Sequence, residues 1–268
     1  MISEQLKLVR WATVCVLAGV GCGDGGARSH TLPWEEGGTQ VLEADGSVRN
    51  VPTPAGSACL DIAGECVQPQ LTCEGRGAEL VLGSSGELVQ TVCYPAGDTL
   101  TVEEIGARGG DVDQTENNAV ILLDNLDDGV DIAGDLSLDA NNVVVYGENP
   151  ANAVISGGLS VDGNNAIVRG VRIQGDVEIL KNNAVLLHCV IEGNLTIHGN
   201  NTVLAGCDVF GSITVYGNNT KLVGNRIAGP LVNPGKNTEC DSNVAAVDAN
   251  DDRVLAATEV GAALSCGE

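Results

Sequence analysis

Apolar residues return at fixed places from about residue 115 to residue 240, and the beat is marked by Asn-Asn at 117, 141, 164, 182, 200 and 218 and by Lys236-Asn237. The last three Asn-Asn intervals are 18 residues; the first two, 24 and 23, are the same unit enlarged by polar, turn-rich stretches at 124–128 and 147–152. Each coil is counted here from its first Asn. Position ten then holds Ile132, Ile155, Ile173, Ile191, Val209 and Ile227, and position fourteen Leu136, Leu159, Val177, Leu195, Ile213 and Leu231. Position sixteen holds Leu138, Val161, Ile179, Ile197 and Val215 before it breaks at Asn233, and position twelve is Gly in all six coils, from Gly134 to Gly229.

Inward positions 8, 10, 14 and 16 alternate with polar ones, which is strand periodicity. A helical solenoid would need apolar residues three and four apart over longer stretches, and none occurs. Three short strands per 18 residues make one triangular rung, so the pattern predicts an all-β, single-stranded parallel β-helix, expected right-handed, with rungs about 4.8 Å apart. The Gly column is expected to serve corners that need positive φ, and the Asn columns to form amide ladders from rung to rung. On both counts these columns are structural. The arrangement resembles a bacterial group of Asn-Asn-punctuated β-helical repeat domains on exported proteins, and more loosely the bactofilins; that resemblance covers residues 115–240 and implies a fold without an activity.

Outside this block the pattern changes. Lys7 and Arg10 precede an apolar run from Trp11 to Val20, too short to span a bilayer, so residues 1–22 read as an export signal. It closes on Ala18-Gly19-Val20-Gly21-Cys22, which resembles a lipobox with Gly19 where Leu is usual. The resemblance implies lipidation at Cys22, attachment to a membrane and, with Gly23 following, the outer membrane or surface of a Gram-negative bacterium; cleavage by an ordinary signal peptidase is the alternative. Residues 23–56, rich in Gly, Glu, Thr and Pro without a period, read as a disordered tether. Residues 57–100 read as a small Cys-rich module containing a hairpin, Glu79 to Cys93 around Gly-Ser-Ser-Gly; 101–240 is the β-helix and 241–268 a C-terminal cap.

Composition narrows the chemistry. Hydrophobic residues make up 43% but aromatics 2%, as suits a thin aliphatic core. A net charge of −23, from 36 acidic against 13 basic residues, disfavours nucleic acid as a partner. Beyond Cys15 and Cys22, eight cysteines remain of the 10, an even number in a chain bound for an oxidising space. Cys59, Cys66, Cys73 and Cys93 read as two disulfides, because no Cys-x-x-Cys pair or nearby histidine supports zinc. Cys240 and Cys266 would pin the C-terminal segment over the last rung. Cys189 and Cys207, both at position eight, should stack in the interior, bonded or as free small core residues.

Positions thirteen, fifteen and seventeen form one outward face, on which Asp135, Asp139, Asp162, Asp176 and Glu178 cluster around Ser137 and Ser160. Solvation accounts for them, and calcium is the competing reading, as it is for 124–131. Thr196 and Thr214 continue the face in a column too short and too charged for ice binding. An enzyme on a β-helix would draw on Arg169, Arg172, Asp176, Glu178 and His188, but Arg172 and Glu178 fall on different faces and few aromatics are available to stack on sugars. The expectation is a non-catalytic envelope lipoprotein, scaffold or binding module for a protein or carbohydrate, without a cofactor; the alternatives are a carbohydrate-active lyase or hydrolase and a calcium-dependent adhesin.

Overall fold

The computed structural model describes residues 39–45, 47–51, 59–74, 76–94, 99–100, 110–123 and 132–266. The export signal with Cys22, residues 23–38 of the expected tether and the excursion at 124–131 lie outside them. Three parallel sheets run through the repeat block, each built from one strand per rung. Within a rung the chain passes in turn through a first strand such as Ile167–Arg169, a second such as Arg172–Ile173 and a third such as Val177–Ile179. Each pairs in register with its equivalents one rung away: Val168 with Val145 and Leu186, Ile173 with Ile155 and Ile191, Glu178 with Ser160 and Thr196. The chain is therefore an all-β parallel β-helix.

Register decides the core. An 18-residue coil puts side chains of one column over one another, and Ile155, Ile173, Ile191, Val209 and Ile227 form a row at 0–1% exposure. The interior also contains positions three and five, in Ala166, Val168, Ala184, Leu186 and Leu204, so all three strands feed it and not only those carrying positions 8 to 16. Parallel pairing begins one rung before the first Asn-Asn, at Thr99–Leu100 and Val112–Gln114, and ends at Val244–Ala246, past the expected boundary at 240.

The corners use three devices. The first Asn of each coil accepts the backbone N–H of its successor, as Asn182 Oδ1 does from Asn200 N at 2.9 Å and from Asn200 Nδ2 at 3.0 Å. The second Asn lies in the left-handed region, with φ of 62° at Asn183 and 55° at Asn201, and donates Nδ2 to the Asn before it, 2.9 Å for Asn183 to Asn165. The position-twelve glycines differ from expectation. None has positive φ; instead a Cβ there would meet the backbone of the preceding rung, for Gly175 the carbonyl carbon of Gly157 at 2.7 Å. Close rung approach, not backbone handedness, selects Gly in that column.

A third ladder runs inside the prism at position eight. Cys207 N donates to Asn225 Oδ1 at 2.9 Å and Asn225 N to Asn243 Oδ1 at 3.1 Å, and Cys189 N takes Cys207 Sγ at 3.3 Å in the same geometry. The two cysteines are free and buried. The Cys207 sulfur does the work of an amide oxygen, capping a corner N–H group that no sheet pairing reaches, while the Cys189 thiol donates to the Leu187 carbonyl at 3.3 Å.

Described segments on either side of the solenoid fold onto it. Thr39–Leu42 pairs antiparallel with Val48–Val51 and parallel with Ala78–Leu82, which forms the hairpin with Leu88–Cys93. Part of the expected tether is thus a strand pair, Thr39–Leu42 with Val48–Val51, because Val41 and Leu42 face two different cores at 0% and 1% exposure. A second hairpin, Leu60–Ile62 with Glu65–Val67, covers Val41, Leu80 and Leu82. Disulfides join Cys59 to Cys66 and Cys73 to Cys93, and Cys240 to Cys266. At the far end Val260–Ala263 pairs antiparallel with Val244–Ala246, and Leu264 and Cys266 pack on the last rung, so the sheet edge there is covered.

Three substitutions separate the devices. Asn183→Gly removes two ladder bonds, one to Asn165 and one from Asn201, and should cost about 1–3 kcal/mol, while Asn183→Ala adds the left-handed penalty of about 1–2 kcal/mol. Gly193→Ala, whose Cβ meets the backbone of Gly175, should cost about 1–3 kcal/mol. Urea midpoints at constant slope read all three; an Asn183→Ala protein as stable as Asn183→Gly would contradict the backbone assignment.

Candidate functional site

The outer side of the first-strand sheet is not wet. Positions four and six bring Val144, Tyr146, Ile167, Val185, Leu187, Val203, Ala205 and Val223 to that face, and Leu42, Val81, Val92 and Tyr94 of the N-terminal sheet pack on them. Strands buried on both sides read as continuous apolar runs, which is how Val143–Tyr146 and Ala184–Leu187 stand in the sequence.

Within this apolar contact lies a closed polar cluster. Glu79, at 0% exposure, accepts from Tyr94 Oη at 2.6 Å and Arg169 Nε at 2.9 Å through Oε2, and lies 3.0 Å from His188 Nε2 through Oε1. Arg169 also donates Nη2 to Gln40 Oε1 at 2.8 Å, and its guanidinium lies 5.3 Å from the Tyr146 ring centroid. Burial alone would raise the Glu79 pKa, but the His188 hydrogen bond and the Arg169 charge outweigh it, and the carboxyl falls from 4.5 to about 2. Tyr94 is driven well above 10.0, first by burial and then by the Glu79 charge. His188 takes φ of 52° at a corner where Gly170, Gly206 and Gly224 stand in other rungs. A strained non-Gly corner is kept where its side chain has work to do, and here it reaches Glu79.

Of the candidate enzyme residues, Arg169 and His188 therefore meet, around a Glu79 that coil spacing could not locate. The others do not join them. Arg172 pairs with Glu192 at 2.7 Å on the second face. Asp176 Oδ1 accepts Asn194 N at 2.7 Å, and Glu178 lies 3.4 Å from His198 on the third face. The cluster has its carboxylate sealed between two layers, which suits holding them together.

The five carboxylates proposed as a cation face also disperse. Asp135 accepts Gly158 N at 2.6 Å, continuing the corner capping seen at Asp176; Asp139 accepts Ser137 Oγ at 2.7 Å; Asp162 pairs with Lys181 at 3.0 Å. Each carboxylate has its own partner, and among the described residues no three acidic, His or Cys side chains gather as metal ligands.

The second face is crossed by the C-terminal segment. Arg172 Nη2 donates to Arg253 O at 3.3 Å, Arg226 to Leu255 O, and Leu255 is buried at 1%. In this segment Asp248, Asn250 and Asp252 alternate, Arg253 has φ of 60°, and Glu259 stands twelfth from Asp248. Glu259 reaches back to Ala249 N and Ala256 N at 3.0 and 2.9 Å, and Asp248 receives Asp252 N and Arg253 N, both at 3.2 Å. The oxygen order matches that of a twelve-residue calcium loop, except for Arg where Gly is usual; along the chain it is distinct from both stretches that sequence spacing singles out.

The third face alone carries no other part of the described chain in the contacts above. Its middle column runs Asp113, Ser137, Ser160, Glu178, Thr196, Thr214 and Val232. A shallow groove of about 470 Å³ lies elsewhere, where Glu74 and Arg76 face Asn118, Asn142 and Asn165. No protein-family model, curated protein or solved structure matches this chain.

The buried cluster makes stability depend on pH with a defined sign. A carboxyl at about 2 when folded and 4.5 otherwise contributes fully above pH 4.5, and that contribution is lost as pH falls toward 2. Melting midpoints should drop over that window, and Glu79→Gln should flatten the drop. Arg169→Ala, which strands the carboxylate, should cost about 3–5 kcal/mol; a loss below about 1 kcal/mol would show that the cluster does not hold the layers.

Proposed function

We propose that this chain is a non-catalytic lipoprotein of the bacterial cell envelope, tethered through Cys22, in which a rigid β-helical rod presents one flat face to a protein or carbohydrate ligand. One observation supports the reading above the others: the segments flanking the solenoid cover its first and second faces and a buried ionisable cluster joins two layers, while among the described residues no other segment covers the third face. A rod of rungs at about 4.8 Å spacing holds surface side chains at fixed intervals, which suits display and contact. The acidic surface keeps anionic polymers away. Radiolabelled palmitate should enter the full chain expressed in a Gram-negative host and leave it in the membrane fraction, while Cys22→Ser should abolish both. Label-free protein, or a Cys22→Ser chain still in the membrane, would remove the anchor from the proposal.

A second reading, a calcium-stabilised form of the same binding module, is favoured by the loop from Asp248 to Glu259. There Asp248, Asn250, Asp252, the Val254 carbonyl and Glu259 would turn from the loop's own N–H groups to the ion. Millimolar calcium should raise the melting midpoint of the full chain and Asp248→Ala should remove the rise; identical midpoints with calcium and with chelator exclude it.

A further inference from the structure

The third face, on which no other described segment lies, changes character along its length. Its first four rungs, from Val112–Gln114 to Val177–Ile179, carry seven carboxylates: Asp111, Asp113, Asp135, Asp139, Asp162, Asp176 and Glu178. From Leu195–Ile197 onward the three remaining strands and their flanking positions, 194–198, 212–216 and 230–234, hold no Asp, Glu, Lys or Arg. On a chain of net charge −23 an uncharged stretch of that extent stands out.

Its side chains are of two kinds, in register. Thr196, Thr214 and Val232 occupy one column, and Val232 is 51% exposed. Beside it Leu180, His198 and Tyr216 stand in successive rungs, with Leu180 37% and Tyr216 53% exposed. The rings of His198 and Tyr216 stack, 5.0 Å between centroids and 7° between planes. The result is an apolar, partly aromatic strip running along the rod beside a strip of hydroxyls at rung spacing.

We infer that this uncharged half of the third face binds a neutral polysaccharide strand laid along the rod axis. The inference rests on the binding-module reading above and names its ligand class. Three features choose the occupant. An uncharged face offers no electrostatic recognition to a charged partner, and the acidic half next to it repels an anionic glycan, so a neutral polymer is the complementary one. The exposed apolar groups of Leu180 and Val232 and the edge of the Tyr216 ring suit the C–H groups of sugar rings, while Thr196, Thr214 and Tyr216 hydroxyls serve as donors and acceptors for sugar hydroxyls. The face is also flat and repeats rung by rung, as does a linear polymer of identical units.

Pull-down of the detergent-solubilised full chain with insoluble cellulose, chitin and curdlan, and with polygalacturonate as anionic control, tests it. Wild type should be retained on at least one neutral polymer and pass the control. Tyr216→Ala and Thr214→Ala should each weaken retention roughly tenfold with an unchanged melting midpoint, whereas Asp113→Ala, at the acidic end of the same face, should not. Retention unaffected by Tyr216→Ala and Thr214→Ala would overturn this face as the site and leave the binding module standing. Failure to bind any neutral polymer, or binding to polygalacturonate alone, would overturn the ligand class, while palmitate labelling tests the envelope reading separately.

Discussion

Everything in this protein depends on parallel pairing at zero offset between one coil and the next. Because Ile173 sits over Ile155 and under Ile191, a column needs one kind of side chain to satisfy all its members. Aliphatic columns fill the prism, Asn columns hydrogen-bond to themselves, and Gly columns let backbones come close. The same constraint explains the inner ladder: where corner N–H groups at position eight need an acceptor, Asn225, Asn243 and even the thiol of Cys207 supply it from the neighbouring rung.

The two terminal parts solve a problem that stacking creates. A triangular rod has three faces and two sheet ends, and this chain covers two of those faces with itself. The N-terminal sheet brings Leu42, Val81 and Val92 to an apolar wall and seals within it the charge pair of Glu79 and Arg169. The C-terminal segment lies across the second face on Arg172 and Arg226 and closes the last rung through Cys240–Cys266. Among the described residues that leaves one broad plane for contact with other molecules.

The solenoid was legible in the sequence because repetition turns a weak strand signal into a strong one: six coils agreeing at positions 10, 12 and 14 leave no other period. What escaped belongs to single occurrences. Thr39–Leu42 and Val48–Val51 are one short hairpin inside a stretch whose composition reads as linker. Glu79 is an isolated carboxylate in a hairpin, and nothing along the chain says that it meets Arg169 and His188. The docked wall was visible in outline, since Val143–Tyr146 lacks the alternation of a half-wet strand, but its partner was not. The glycine column was seen for what it is and misread in mechanism, because sequence cannot distinguish a missing Cβ from a reversed φ. Capping by Asp135 and Asp176 is equally hidden, since a column of acids looks the same whether it faces water, holds an ion or accepts a backbone N–H.

His188 at a glycine corner carries a consequence for how the chain finds its fold. Coils that resemble one another this closely can be threaded one step out of phase, with each strand content beside the wrong neighbour. Only one coil offers an imidazole at that corner, and only the coil before it an arginine one place earlier in the coil, so the N-terminal sheet has a single landing place. The docked carboxylate thus acts as an index mark, distinguishing the correct threading from its near-copies.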